Sequence, residues 1–206
     1  MPNIYDALHT KYLAYAKTKA SAKIVESAVR WYVTEIVRQF GNKQVPFQLV
    51  AKQASTVQPN QIALGKMYTF EYRADSSEDY YDKYPLVIPF FRNSRQITGF
   101  NIHYLPVLYR VLGMTAILKG TSTVQKYPPA RDAATTIAYD TIIGTDLNFM
   151  KVSIRTYLVR RIRSKIVSVP ATGWLSAAFL PTAKYVGNNI TPSRVVTQML
   201  NEIRSL

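Results

Sequence analysis

Tyr80-Tyr81-Asp82-Lys83-Tyr84-Pro85-Leu86-Val87-Ile88-Pro89-Phe90-Phe91 and, after a short gap, Gly99-Phe100-Asn101-Ile102-His103-Tyr104-Leu105-Pro106 decide the fold class. Leu86 to Phe91 and Phe100 to Tyr104 are short aromatic and β-branched runs of the kind that fill strands. Proline cannot donate to a β-ladder, so Pro85 and Pro89 put the first run at a sheet edge. Gly99 marks a turn or bulge. In an extended second run Phe100, Ile102 and Tyr104 face one side, while Asn101 and His103 face the other. On that pattern most of the stretch is scaffold rather than site.

Working outward, Met67, Phe70 and Tyr72 begin another strand after Gly65, and Ser164 to Val169 alternates like one. Pro106 suits the first turn of a helix that runs to about Leu118, with Gly120 as its stop. Further helical patterns cover Ala130 to Tyr139 and Leu147 to Leu158. At the end, Thr191 as cap and Pro192 in the first turn open an amphipathic helix carrying Val195, Val196, Met199, Leu200, Ile203 and Leu206.

Before Gly65 the character differs. From Ile4 to Phe40 the spacing is helical, with Ile4, Leu8, Tyr12 and Tyr15 in one stripe and Val25, Val29, Tyr32, Ile36 and Phe40 in another. Asn3 can cap it and Gly41 sits where it should stop. Lys17 to Lys23 is polar, so the segment divides readily into two helices; if continuous it extends roughly 55 Å. Residues 42 to 63, rich in Gln, Ser, Pro and Val, have the composition of a linker. The expected organisation is therefore a helical arm at 1–40, a linker at 41–64 and an α+β domain at 65–206. Packing back on its own domain and docking on another subunit both satisfy the arm's stripes. The linker favours an arm that reaches away, with Tyr12, Tyr15, Trp31, Tyr32 and Phe40 as partner-binding residues.

With 48% hydrophobic and 12% aromatic content over 206 residues, the chain can bury a proper core, which excludes disordered and fibrous classes. Cysteine is absent, so disulfides and thiolate metal sites are excluded, in keeping with synthesis and assembly in a reducing cytoplasm. The N-terminus lacks a basic segment before an apolar run, and no stretch nears the ~18 apolar residues of a membrane span. A net charge of +14 creates a field that attracts phosphate or an acidic protein surface. That charge is uneven: Lys151, Arg155, Arg160, Arg161, Arg163, Lys165, Lys184 and Arg194 lie between Leu147 and Asn201, where no acidic residue occurs. Of these, Lys151, Arg155, Arg160, Arg161, Arg163 and Lys165 are the candidates for contact with phosphate or an acidic partner. A solvated face explains the same charges. Tyr157 and Tyr185 can stack bases, although core or interface roles are commoner for tyrosine.

No constellation for catalysis stands out. His9 and His103 fall in different elements, so neither a histidine pair for a metal nor a triad with a second histidine is available. Asp75, Glu78, Asp79 and Asp82 form an acidic loop, but without the spacing or glycine of a calcium loop, and a solvated loop is the plainer account. Phosphate-loop, zinc-protease and nucleophile-elbow motifs are absent. The expectation is a protein that is no enzyme and takes no cofactor, metal or small-molecule substrate.

The two-part motif at Tyr80 to Val87 and Gly99 to Pro106 resembles a family found in T4-like tailed phages, whose members carry a tyrosine-tyrosine-aspartate stretch followed by a glycine-phenylalanine and histidine-tyrosine-leucine stretch. The likeness continues through Tyr157-Leu158, Arg163-Ser164, Val169-Pro170, Trp174 and Phe179-Leu180-Pro181. It implies a small SH3-like β-barrel at about 65–105 and 163–169, followed by several helices. It also implies a virion component, assembled in the host cytoplasm, that contacts other virion proteins and copies of itself. The expected function is tail or baseplate assembly; the alternative is a double-stranded DNA-binding protein at packaged genome ends or in the head-tail connector, similar to a DNA end protector. The turn from Phe91 to Thr98, with Arg92 and Arg95, and everything before Gly65 depart from the family pattern.

Overall fold

The computed structural model describes residues 4–17, 24–41, 43–51, 55–75, 79–124, 147–188 and 190–206. In chain order the elements are α1 (Ile4–Lys17), α2 (Ile24–Phe40), α3 (Phe47–Ala51), β1 (Thr56–Val57), β2 (Met67–Thr69), β3 (Tyr80–Asp82), β4 (Leu86–Arg92), β5 (Gln96–Asn101) and α4 (Val107–Val124). They continue with β6 (Ile154–Leu158), β7 (Ile166–Val169), α5 (Trp174–Phe179), β8 (Tyr185–Gly187) and α6 (Pro192–Arg204). The expected helix at Ala130 to Tyr139 lies outside the described residues.

The class is α+β. Six strands pair antiparallel in the order β1-β7-β2-β4-β5-β6, and β3 with β8 makes a separate two-stranded ladder. The expected closed barrel is not formed among the described residues: the six-stranded sheet is open, with β1 and β6 at its edges. A lone bridge between Tyr72 and Ile162 draws the chain after β2 to the chain after β6 without closing the ladder.

β4 is internal, not an edge strand as its prolines suggested. Its register shifts between Pro89 and Phe91, so the missing N–H falls at a bulge, while the Pro89 carbonyl still accepts from Gly65. Gly99 pairs with Pro89 there. A Cβ at Gly99 would lie 2.5 Å from the Ile88 carbonyl oxygen, which is why only glycine allows the approach. The second run also turns earlier than its alternation implied. β5 ends at Asn101, whose side chain accepts from the His103 N–H at 3.1 Å and starts a 3-10 turn over Ile102–Tyr104. Asn101, Ile102, His103 and Tyr104 are consequently all buried.

Burial on both faces of the sheet explains the unbroken apolar run of β4. Leu86 and Ile88 join a core with Met67, Phe100, Met114, Trp174 and Phe179, while Val87 points the other way, to Tyr68, Phe70, Tyr72, Ile97, Tyr157 and Ile166. The segment read as a helix from Leu147 to Leu158 instead makes a 3-10 turn over Asn148–Ser153 and then β6. Its apolar spacing suits a helix, but the open edge of β5 claims it, and the Thr98 and Thr156 hydroxyls meet at 2.9 Å across the pair.

The N-terminal helices do not reach away. Tyr5, Leu8, Val29, Tyr32 and Ile36 are buried in the same core as Trp174, Leu175 and Phe179, each large side chain contributing roughly 1.5–3 kcal/mol. The stretch expected to link them to the rest carries α3, β1 and a 3-10 turn at Pro59–Gln61, with Val45, Val50 and Ile62 buried. The Val45 N–H donates to the Pro181 carbonyl at 2.9 Å. Gly41 ends α2 at φ 55°, as its position predicts, whereas α4 runs past Gly120 to Val124. Thr191 caps α6 by accepting from the Arg194 N–H at 3.2 Å, and Pro192 stands at its start.

Candidate nucleic-acid interface

The motif that decides the fold builds a buried polar network. Asp82 accepts from four donors: His103 Nδ1 at 2.7 Å and Asn101 Nδ2 at 3.3 Å on one oxygen, and the N–H groups of Tyr84 at 3.0 Å and Lys184 at 3.2 Å on the other. Four donors replace the water that a buried carboxylate gives up. The expected acidic loop is thus divided. Asp82 is buried, Asp75 pairs with Arg161, Asp79 is exposed, and Glu78 lies outside the described residues. Asn101 adds a bond from Nδ2 to the Tyr157 hydroxyl at 2.8 Å, and the Tyr185 hydroxyl donates to the His103 carbonyl at 2.6 Å. Burial raises the Tyr104, Tyr157 and Tyr185 phenols above their ordinary range.

Carboxylate, imidazole and hydroxyl follow one another here in the order of a hydrolase triad, because His103 Nε2 lies 3.2 Å from the Thr182 Oγ1. Since the carboxylate only accepts, Nδ1 carries the proton and Nε2 accepts from Thr182. The side chains of Asp82 and His103 are 0% exposed and Thr182 is 8% exposed, so all three groups are enclosed by the protein. The network fixes the fold.

Around it, four chain segments are zipped by main-chain bonds. The Arg163 N–H donates to the Glu71 carbonyl at 2.8 Å, Tyr72 to Lys83 at 2.9 Å, and Lys83 to Lys184 at 2.7 Å; the Glu71 N–H donates to Ser164 Oγ at 2.8 Å. Adjacent segments are about 4.8 Å apart in such ladders. The zipper therefore sets Arg73, Lys83, Arg163 and Lys184 around one cleft of about 370 Å³, with Glu71, Tyr72, Tyr81 and Val186 completing its lining. Lys83 pairs with Glu71 at 3.1 Å. Arg73, Arg163 and Lys184 are exposed and make no ion pair with a described carboxylate.

Of the six cations singled out from sequence, only Arg163 lines the cleft. Lys151, Arg160 and Lys165 are exposed outside its lining. Arg161 is held by Asp75. Arg155 is half-buried, its guanidinium 4.0 Å over the Tyr104 ring and donating to the carbonyls of Val152 and Ile154. Arg73 and Lys83 went unnoticed because nothing in a linear chain announces that their segments become neighbours of 163 and 184. Elsewhere, Tyr12, Tyr15, Trp31 and Tyr32 stack on one another between α1 and α2 at 5.0 to 5.8 Å, with Tyr32 buried and the other three half-exposed; Phe40 packs against the main core. His9 Nδ1 lies 3.3 Å from the Tyr32 hydroxyl.

A family model described as the phage T4 terminal DNA protecting protein matches residues 18–198. The chain belongs to that family. The match takes in all four segments of the cleft and the whole buried network, while α1 precedes it. No curated protein and no solved structure matches the chain. Among the described residues no helix is long and apolar enough to cross a membrane, and no group of three His, Asp or Glu is placed to hold a metal ion.

Proposed function

We propose that this member of the phage terminal DNA protecting family binds double-stranded DNA at its ends and shields them, acting in the infected host and in the virion without catalysis. The observation that carries the reading is the convergence of Arg73, Lys83, Arg163 and Lys184, from four separated segments, on one cleft whose described lining holds a single carboxylate, Glu71. Such a surface attracts phosphate, and each phosphate it neutralises releases a counterion. The family's description, which names DNA termini, supports this reading over a role in the tail or baseplate. The enclosure of the Asp82, His103 and Thr182 side chains supports a non-catalytic role for this arrangement, which resembles catalytic machinery.

The test is duplex binding across a salt series. The wild-type affinity falls steeply with salt, and Arg73→Ala, Arg163→Ala and Lys184→Ala together weaken binding. Each phosphate that the variant no longer neutralises makes the log–log slope shallower by about 0.9. A chain that binds no duplex at low salt, or a triple variant with an unchanged slope, removes the proposal.

A further inference from the structure

We propose that the cleft between Tyr72, Lys83, Arg163 and Lys184 is a terminal-phosphate site: it receives the phosphomonoester at the end of a DNA strand, not the phosphodiesters along its flank. The inference rests on the DNA-end reading and gives it a chemical basis.

Three features of the cleft favour an end group. Its first feature is size: about 370 Å³ is at the small end of the range for pockets that enclose small ligands. The rigid side of a duplex does not enter such a hollow, whereas a group projecting from a terminus does. The second is charge. A phosphomonoester carries about −1.5 to −2 near neutral pH, more than the single charge of a diester. Arg73, Arg163 and Lys184 leave a cationic excess that suits the larger charge, since only Lys83 is balanced by Glu71. The guanidinium groups can grip a phosphate through two parallel N–H donors each, which gives direction as well as attraction.

The third feature is the lining. Tyr72 is buried and Tyr81 and Val186 are half-buried, so the cations surround an apolar side of the cleft. Tyr72 meets Tyr81 edge to face at 6.2 Å and Tyr157 at 5.0 Å, and its hydroxyl accepts from the Leu158 N–H at 3.3 Å. Those contacts hold the rings in place before anything binds. Of the two rings, the half-buried Tyr81 is the one that can meet an unpaired or frayed terminal base beside the phosphate donors, and aromatic stacking tolerates any base.

The experiment uses the full chain and short blunt duplexes of one sequence. These carry a 5′-phosphate, a 3′-phosphate or only hydroxyl ends, alongside a duplex closed by hairpin loops at both ends. Inorganic phosphate alone serves as competitor. One phosphorylated form binds about ten-fold or more tightly than the hydroxyl form, as expected when charge-assisted bonds are added. Arg73→Gln with Arg163→Gln abolishes that preference while the variant keeps the wild-type circular dichroism spectrum. Arg92→Gln, on a different surface, leaves the preference intact. Equal affinity for phosphorylated and hydroxyl ends overturns the proposal while leaving DNA binding standing. Displacement by inorganic phosphate at the concentration of the phosphorylated duplex overturns it too, because the site is then a general anion site. Failure of every duplex to bind at low salt removes the DNA-end reading itself and this inference with it.

Discussion

The backbone N–H of Lys83 donates to the carbonyl of Lys184 at 2.7 Å, and the N–H of Lys184 is in turn anchored by the Asp82 carboxylate at 3.2 Å. Two lysines far apart in the chain are thereby held side by side at the cleft. The buried network and the cationic surface are one construction, with Asp82 as the joint.

That joint makes Asp82→Asn informative. The substitution removes a buried charge from His103 Nδ1 and turns an amide N–H₂ toward groups that are themselves donors. A loss of about 1–3 kcal/mol is expected, the range for a buried donor left without its acceptor. Urea unfolding followed by tryptophan fluorescence measures it. Duplex binding weakens in parallel, because the Lys184 segment loses its anchor.

Deleting residues 1–40 is expected to destroy the fold rather than release an intact domain. Tyr5, Leu8, Val29, Tyr32 and Ile36 cover Trp174, Leu175 and Phe179, and at roughly 1.5–3 kcal/mol for each large apolar side chain their removal is comparable to the whole 5–15 kcal/mol that holds a typical protein folded. Loss of a cooperative thermal transition is the outcome to look for; a truncated chain that melts sharply contradicts the packing described.

Alkaline pH should unfold the protein through its tyrosines. Burial pushes the Tyr32 phenol up to about 12 from an ordinary 10.0 and also raises Tyr5, Tyr104, Tyr157 and Tyr185. The folded chain keeps protons that the unfolded chain releases near pH 10, so stability is fully present below that pH and falls as pH rises toward 12. The urea midpoint, read between pH 9 and 12 as spaced steps of about one unit, declines over this window. Phenolate absorbance appears together with unfolding, and Tyr32→Phe makes the decline shallower.

What the linear chain reveals is what local chemistry decides. Gly41 ends α2 and Thr191 with Pro192 starts α6 because caps and stops act on their immediate neighbours. Leu86 to Phe91 is a strand for similarly local reasons. β6 was hidden, since Ile154 to Leu158 becomes a strand only when β5 offers an edge. The stripes of α1 and α2 are equally apolar whether the surface they cover is their own domain's or another subunit's, so pattern alone could not place them. The site was the least legible part. Arg155 and Arg161 look like free cations in the sequence, but a tyrosine ring and a carboxylate occupy them. Arg73 and Lys83 gain their meaning only from segments brought beside them by folding.

Because the cleft is assembled by hydrogen bonds across four stretches of backbone, no short peptide cut from this chain can reproduce it. A ligand that bridges Arg163 to Lys184 clasps the segments it touches, so binding and folding must reinforce one another. Saturation with that ligand should therefore slow hydrogen exchange at the Tyr72, Lys83 and Arg163 amides, even though none of these N–H groups contacts it.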